Sequence, residues 1–420
     1  MSADRFREEP SREALRCRFC SAPLTTTFVD LGLSPLANAY VPPEARGKAQ
    51  LYYPLHARVC DECLLVQVEA FETPEGIFGN YAYFSSFAES WLVHARDYAA
   101  RMIDALALGV NSRVVEIASN DGYLLRNFVT RGIPALGIEP ARNVAEVAIA
   151  RGVPTRAEFF GTALARQLRQ EGIAADLLVA NNVLAHVPDL NDFVAGMAIV
   201  LADDGVITVE FPHLLNLIEQ NQFDTIYHEH FSYFSFATAE KVFARHGITL
   251  YHVEELPTHG GSLRIFGCHT GRRQVEASVG RLKEKERRAG LDRRAAYLDF
   301  GERVKACKRD LLEFLIRAKR EGLRIAAYGA PAKGNTLLNY CGIGTDFIDY
   351  TVDRNPAKQG TFLPGSLIPV HSPERITETR PDYLLILPWN LRDEIMEQMS
   401  GIRAWGGRFV VPIPRVEVLP

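Results

Sequence analysis

Two cysteine pairs and one run of histidines carry most of the reactive side chains in this sequence. Cys17-Arg-Phe-Cys20 and Cys60-Asp-Glu-Cys63 are both C-x-x-C. A two-residue gap lets one tight turn aim both thiolates at a single tetrahedral ion, and two such turns complete four sulfur ligands. Four thiolates close the shell, so the implied metal is a structural zinc, Zn2+, without the open position that catalysis needs. Two unrelated reduced pairs is the plain alternative. A redox C-x-x-C normally appears once, at the start of a helix, and the duplication counts against it. Cys268, Cys307 and Cys341 are isolated and are expected to pack.

The histidines lie in Asn182-Val-Leu-Ala-His186-Val-Pro-Asp189 and Tyr227-His228-Glu229-His230-Phe231-Ser232-Tyr233-Phe234-Ser235. His-Glu-His interleaved with Tyr and Ser, inside apolar flanks, can supply a base tuned near neutral pH, a carboxylate to orient it, and phenol donors. Zinc proteases place two histidines four apart on a helix; His228 and His230 are two apart, so that motif is absent. In an extended chain His228 and His230 share a face and Glu229 points the other way. A hydrogen-bonded core role is expected for His213, His228 and His252, and a chemical role for His230 and Glu229.

Two strand–turn segments look built for ligands. Val114-Val-Glu116-Ile-Ala118-Ser-Asn120-Asp-Gly122 is a buried strand entering a small-residue turn, and the next strand ends in Gly137-Ile-Glu139-Pro. In doubly wound sheets ligands sit outside the carboxyl ends of strands. A carboxylate at Glu139 can accept hydrogen bonds from both hydroxyls of an adenosine ribose. Ala118 and Ser119 stand where a dinucleotide turn has glycines, which disfavours a pyrophosphate clamp. S-adenosylmethionine, with no phosphate there, fits better. The second segment, Leu323–Tyr328 followed by Gly329-Ala-Pro-Ala-Lys333-Gly334-Asn335-Thr336, puts backbone amides and a lysine where they suit a pyrophosphate. Its order is Lys-Gly, and no Ser/Thr follows the lysine, so it is not a P-loop and triphosphate hydrolysis is not expected.

These groups need a scaffold of several domains. At ~100–200 residues each, 420 residues suggest two to four. Residues 1–70 hold the cysteine pairs, prolines and short strand-like runs (Thr27–Val29, Leu64–Val68). In 71–275 strand candidates (113–117, 135–138, 176–180, 205–211) alternate with helical stretches, which reads as repeated βα units. Residues 272–320 carry apolar positions at helical spacing and predict one or two long helices. The βα rhythm then restarts at 323–328, 350–352, 383–387 and 408–411, giving a third domain over 276–420. The expected fold class is α/β: a small zinc-binding domain, a central Rossmann-like domain and a C-terminal Rossmann-like domain. A formal charge of −4 without long basic runs argues against nucleic acid as a partner. No window approaches the ~18–20 apolar residues of a membrane span, and the charged N-terminus lacks a signal peptide's apolar middle, so no membrane partner and a cytoplasmic location are expected.

The Glu116–Gly122 turn resembles that of the class I methyltransferases. The resemblance implies that this turn (Glu116, Ala118, Asn120, Gly122) holds the methionine portion, Glu139 the ribose, Glu158 with Phe159 the adenine side, and that Asn181 and Asn182 line the cofactor. The ordered set C-x-x-C…C-x-x-C-L-L-V-Q, N-Y-A-Y-F-S-S (Asn80–Ser86), E-I-A-S-N-D-G, N-N-V-L-A-H-V-P-D and Y-H-E-H-F-S-Y-F-S is similar to the sugar C-methyltransferases. These act on nucleotide-linked 4-keto-deoxysugars in antibiotic biosynthesis. Y-G-A-P-A-K-G-N-T (Tyr328–Thr336), V-D-R-N-P-A-K-Q-G (Val352–Gly360) and P-W-N (Pro388–Asn390) extend the match over nearly the whole chain. The family assigns the C-terminal domain to the sugar nucleotide, which implies substrate contacts from Tyr328, Lys333, Gly334, Asn335, Asp353, Lys358, Trp389 and Asn390.

The chemistry so implied is methylation at C3 of a dTDP-linked 4-keto-deoxysugar. A ketone at C4 acidifies the C3 hydrogen, His230 removes it, and Glu229 orients or polarises that base. His186, Tyr227 and Tyr81 or Tyr83 would donate hydrogen bonds to the C4 oxygen as charge develops. The rival within the fold is methylation of another carbon, or of O or N, of a small molecule. A zinc-bearing binding protein for RNA or a protein partner is the rival from another class, and the acidic balance speaks against RNA. The oligomeric state is open, a monomer being compatible with the sequence.

Overall fold

The computed structural model describes residues 15–73, 76, 86 and 89–420, and three sheets organise them. The first is antiparallel, in the order Thr26–Ser34, Tyr53–Val59, Val66–Val68, Ser232–Tyr233. Alternation builds it: Leu55, Ala57 and Val59 are buried on one face of their strand. Its fourth strand lies some 160 residues downstream, within the Tyr-His-Glu-His block, and pairs as Val66↔Tyr233 and Gln67↔Ser232. The cysteine-bearing unit is therefore stitched to the histidine segment by backbone hydrogen bonds.

The central sheet has seven strands in the order 248–256, 262–269, 201–212, 175–181, 114–117, 135–138, 155–156. The last five run parallel, and the first two are antiparallel additions at one edge. All four residues of Val114–Ile117 are buried, as expected of a parallel strand covered on both faces. The expected strands all form, within a residue or two except that 205–211 starts earlier, at Leu201. The third sheet, in the order 370–371, 351–352, 325–328, 383–386, 408–411, 417–419, is parallel except at its last strand.

The 272–320 region resolves into Ala277–Arg288, a short Ala295–Leu298 turn of helix and Phe300–Arg320. Gly290, at φ +80°, lets the chain leave the first helix in a conformation costly to other residues. The long helix buries Phe300, Val304, Cys307, Leu311, Phe314, Leu315 and Ala318, a stripe of helical period. Phe300 stacks on Phe28 of the first sheet at 4.5 Å between ring centres. The first sheet in fact shares a core with the third: Phe28, Leu55 and Val66 belong to the same apolar cluster as Ile325 and Leu385. Cys17, Cys60 and Cys63 pack into the core of the central sheet instead. Among the described residues no helix is long and apolar enough to cross a membrane.

Candidate active site and metal centre

Cys17, Cys20, Cys60 and Cys63 bring their Sγ atoms within 4.8 Å of one another. The Cys17–Cys63 and Cys20–Cys60 separations are both 3.5 Å, close to the ~3.8 Å edge of a tetrahedron with Zn–S bonds of about 2.3 Å. Gln67 donates to Cys17 Sγ at 3.2 Å, a neighbour of the kind that fixes a ligand's direction. Contact with the Cys63 thiol, outweighing burial, pulls Cys17 down to about 4, while burial pushes Cys60 up to about 11. The donor set fits a zinc ion.

The histidine segment forms a turn. His230 Nδ1 lies 2.9 Å from the Thr225 carbonyl, which can only accept, so Nδ1 carries the proton. Nε2 then holds the lone pair and faces the Tyr227 hydroxyl at 2.8 Å. His186 is locked the same way, its Nδ1 donating to the Glu229 carbonyl at 2.8 Å. The two imidazoles meet edge to face at 4.7 Å. Desolvation lowers His186 to about 4 and takes His230 well below the usual histidine value, with His186 adding to the latter. Both are neutral at pH 7. Each keeps part of its surface open.

Glu229 departs from expectation. Its carboxylate accepts from Asn38 Nδ2 at 2.9 and 2.8 Å, and only its backbone carbonyl reaches the histidine pair. It does not orient His230, because the turn throws the carboxylate toward the first sheet. Burial raises its pKa to about 7. Tyr81 and Tyr83 lie outside the described residues. His228, His213 and His252 take packing partners, respectively the Pro54 carbonyl, Glu286 and Glu276.

At the carboxyl edge of the central sheet Ala118, Asn120 and Gly122 all have positive φ (+56°, +49°, +76°). A Cβ at Gly122 would come within 2.9 Å of Val153. So contorted a turn at a strand end is typical of functional backbone. Glu139 accepts from the amides of Asn120 and Ala141 at 3.0 and 2.9 Å, which fixes the carboxylate and leaves lone pairs for further donors. Glu116 is buried with both carboxylate oxygens lacking a partner among the described residues, as does Asn181 Oδ1. Burial and then Glu139 and Asp121 raise Glu116 well above the carboxylate range. Orphaned acceptors beside a contorted turn fit a ligand that brings donors and positive charge, as S-adenosylmethionine does. Asn182 (φ +53°) approaches His259 at 3.5 Å. Glu158 and Phe159 are exposed beyond the edge strand, and no hydrogen bond of either closes a pocket.

The C-terminal turn is built differently from expectation. Gly334 allows its helix to close on Leu387, where a Cβ would sit at 2.9 Å. Asn335 donates to the Ala37 carbonyl at 2.7 Å, tying this helix to the first sheet. Lys333 does not point out of the turn: its ammonium bonds Asn390 Oδ1 at 2.8 Å and lies 4.6 Å from the centre of the Trp389 ring. Lys358 donates to the Ala330 carbonyl at 2.8 Å, and Asp353 accepts from the Ala330 amide at 2.7 Å. Tyr328 ends its strand bonded to Gln398 at 3.0 Å.

Several residues at the site escaped the sequence reading. Asn38 holds Glu229, Tyr40 bonds the Ala330 carbonyl, and Asp224 accepts from Trp389 Nε1 at 2.7 Å. Glu210 forms a buried cluster with Arg264 (2.7 Å from Nε) and His94 (3.1 Å). A signal existed for that last group, because Glu210 and Arg264 are charges inside apolar strand runs, and buried charges need partners.

Three family models match in sequence: a zinc-binding domain over 17–78, a methyltransferase domain over 91–253 and a C-methyltransferase C-terminal domain over 257–414. Among solved structures, magnesium protoporphyrin IX methyltransferase from Synechocystis (13% identity, TM-score 0.35) matches 43% of this chain and 83% of its own. An S-adenosylmethionine-dependent methyltransferase from Clostridium acetobutylicum (9%, TM-score 0.35) matches 43% and 92%. The C-methyltransferase NovU of Streptomyces niveus is 36% identical over 407 residues, 96% of each chain. Identity at that level over almost the whole length, with all three domain models in order, places the chain in the family of zinc-bearing, S-adenosylmethionine-dependent C-methyltransferases.

Proposed function

We propose that the protein methylates C3 of a dTDP-linked 4-keto-deoxysugar through an enolate, in deoxysugar assembly for an antibiotic. The observation that carries this reading is His230: neutral, fixed by Thr225, with its lone pair on Nε2 toward Tyr227 and its ring against His186. A ketone's α-hydrogen needs a base of that kind, whereas O- or N-methylation needs none beside a carbonyl. His230 accepts the C3 proton after Tyr227 releases Nε2, and Tyr227 donates toward the developing oxyanion; His186, expected as a second donor, has its one N–H held by the Glu229 carbonyl and keeps only a lone pair on Nε2. S-adenosylmethionine, when bound, would supply an electrophilic sulfonium methyl to the carbon nucleophile. Glu116, Glu139, Asn181 and Asn182 would hold it, with the turn Ala118–Gly122 against its methionine portion. Glu158 and Phe159 would cover its adenine. In this reading Glu229 positions His186 through its carbonyl.

We divide the chain into units 1–70, 71–275 and 276–420, and infer that the third holds the sugar nucleotide through Tyr328, Gly334, Asn335, Asp353, Lys358, Trp389 and Asn390. None of the seven cysteines is in a disulfide, which suits a reducing, cytoplasmic setting. The test is mass spectrometry of products from a panel of dTDP-4-keto-sugars with S-adenosylmethionine. A gain of one methyl on carbon, located at C3 by fragmentation, is expected. Methylation confined to oxygen or nitrogen, or no product from any sugar nucleotide, would overturn the reading.

A further inference from the structure

The C-terminal turn was expected to offer its lysine to a diphosphate, but its geometry sends Lys333 inward. Lys333 and Thr336 are one turn apart on the helix Ala332–Cys341 and share a face. Thr336 Oγ1 donates to the Ile226 carbonyl at 3.2 Å, immediately before Tyr227. The same face therefore meets the histidine segment. A second path closes the ring: Lys333 sits on Trp389, Trp389 Nε1 bonds Asp224, and Thr225, the next residue, holds His230 Nδ1. Asp224 is fully buried, with Oδ1 lacking a partner among the described residues. Lys333 keeps some accessible surface, as do His230 and Asn390. Its charge is felt at His230, His259 and Asp224.

We propose that Lys333 is a catalytic residue of the central site, whose ammonium binds the substrate's C4 oxygen and stabilises the enolate oxyanion. This rests on the enolate reading above. In the step, the C3–H bond breaks and the proton goes to His230 Nε2. The C–H electron pair becomes the C3=C4 bond, and the carbonyl π pair moves onto oxygen beside the Lys333 N–H donors. A preformed cation in a site with little water contributes most when charge develops next to it. Asn390 and the Trp389 face hold the ammonium in place, and the neutral His186 and His230 add no competing positive charge. The third domain thus completes the chemistry as well as binding the nucleotide.

The experiment compares wild type, Lys333→Met, Lys333→Arg and Lys358→Met in three measurements: turnover with the best sugar of the panel, exchange of the C3 hydrogen in deuterium oxide, and affinity for dTDP alone. Thermal unfolding checks that each variant folds. Lys333→Met should lose 10²–10³-fold in kcat and in exchange, the range seen on removal of one oxyanion donor, with dTDP affinity within threefold of wild type. Lys333→Arg should recover part of the loss. A fall in dTDP affinity with kcat at saturation unchanged would assign Lys333 to the diphosphate and overturn the proposal, and so would near-normal turnover in Lys333→Met. If Lys333→Met is destabilised, the folded Lys333→Arg and Lys333→Gln variants decide by the same kcat-against-affinity split. Wild type that makes no C-methylated product from any 4-keto sugar removes the enolate reading and this proposal together, whereas active wild type with an active Lys333→Met removes this proposal alone.

Discussion

The two parallel sheets reach their ligand edges by the same device and with opposite charge. In the central sheet Ile117 runs into a turn bordered by Glu116, Asp121 and Glu139, and burial raises two of these carboxyls. In the C-terminal sheet Tyr328 runs into a turn bordered by Lys333 and Lys358, and burial lowers both ammonium groups. Each edge is preloaded with a charge that is costly until a partner of the other sign arrives. An acidic edge suits a sulfonium and α-ammonium; a basic edge suits a diphosphate and an oxyanion. Between them lies the Tyr227–His230 turn, which carries neutral imidazoles and is hung from the zinc-bearing sheet. The shared topology says where ligands go, and the charge says which.

The joint between the edges hangs on a short strand pairing. Val68 N donates to the Phe231 carbonyl at 3.1 Å, and Ser232–Tyr233 is a strand of the zinc sheet. Stripping the metal should therefore abolish activity and unfold the N-terminal unit, a loss on the scale of a small domain's whole stability, ~5–15 kcal/mol. Metal analysis should find one zinc per chain, and Cys60→Ser should give aggregated or molten protein. Folded, active, metal-free protein would mean that the sheet holds the turn unaided.

Next in size is the base itself. His230→Asn should lower turnover by ~10²–10⁴-fold while both edges keep their ligands, because neither carboxylates nor lysines are touched. The pH profile carries a sign. His230 is depressed below the ordinary histidine pKa of 6.5, so its neutral, active form persists as pH falls through 6.5. A wild-type acid limb centred at 6.5 would show that the titrating base is another group. His228→Asn, which loses a bond to the Pro54 carbonyl and ring contacts with Tyr53 and Phe71, is the control and should stay within about threefold.

The charge contrast can be tested edge by edge. Glu139→Ala should weaken S-adenosylmethionine by ~1.5–3 kcal/mol, the scale of hydrogen bonds to a charged group, and leave dTDP binding unchanged. Lys358→Met should do the reverse, by a similar amount. Calorimetry that finds both ligands weakened by either variant would mean the edges act as one site.

How far this was readable from sequence depends on the distance between partners. The C-x-x-C pairs, the strand ends at Glu116 and Glu139 and the two βα rhythms are local patterns, and each formed where its residues predicted. Glu229 was misread because its partner Asn38 lies 191 residues away, and no local rule chooses it over the adjacent His230. Lys333 shows the same limit: a lysine after a strand suggests a phosphate, and its contacts with Asn390 and Trp389, more than fifty residues on, appear only in three dimensions. The two-residue strand Ser232–Tyr233 is too short to carry a periodic signal, so the fusion of zinc sheet and histidine turn appears only in three dimensions.

The smallest predicted effect tests the acidic edge in the absence of ligand. Glu116 is buried, its two carboxylate oxygens have no hydrogen-bond partner among the described residues, and its pKa is raised, first by desolvation and then by Glu139 and Asp121. The folded protein therefore binds this proton more tightly than the unfolded chain does. The sign follows from linkage: the contribution is whole below the unfolded value near 4.5 and is lost as pH rises through the raised folded value, with a slope of at most about 1.4 kcal/mol per pH unit. Glu116→Gln removes the titration and keeps the shape. Without cofactor its thermal midpoint should match wild type at acid pH and exceed it by a few degrees at pH 8. With saturating S-adenosylmethionine the order should invert, because only the wild-type carboxylate meets the cofactor's positive charge and ligand binding adds to the stability of the folded form. If the variant shows no such inversion, Glu116 is a packing carboxyl, and the central edge owes its selectivity to Glu139 alone.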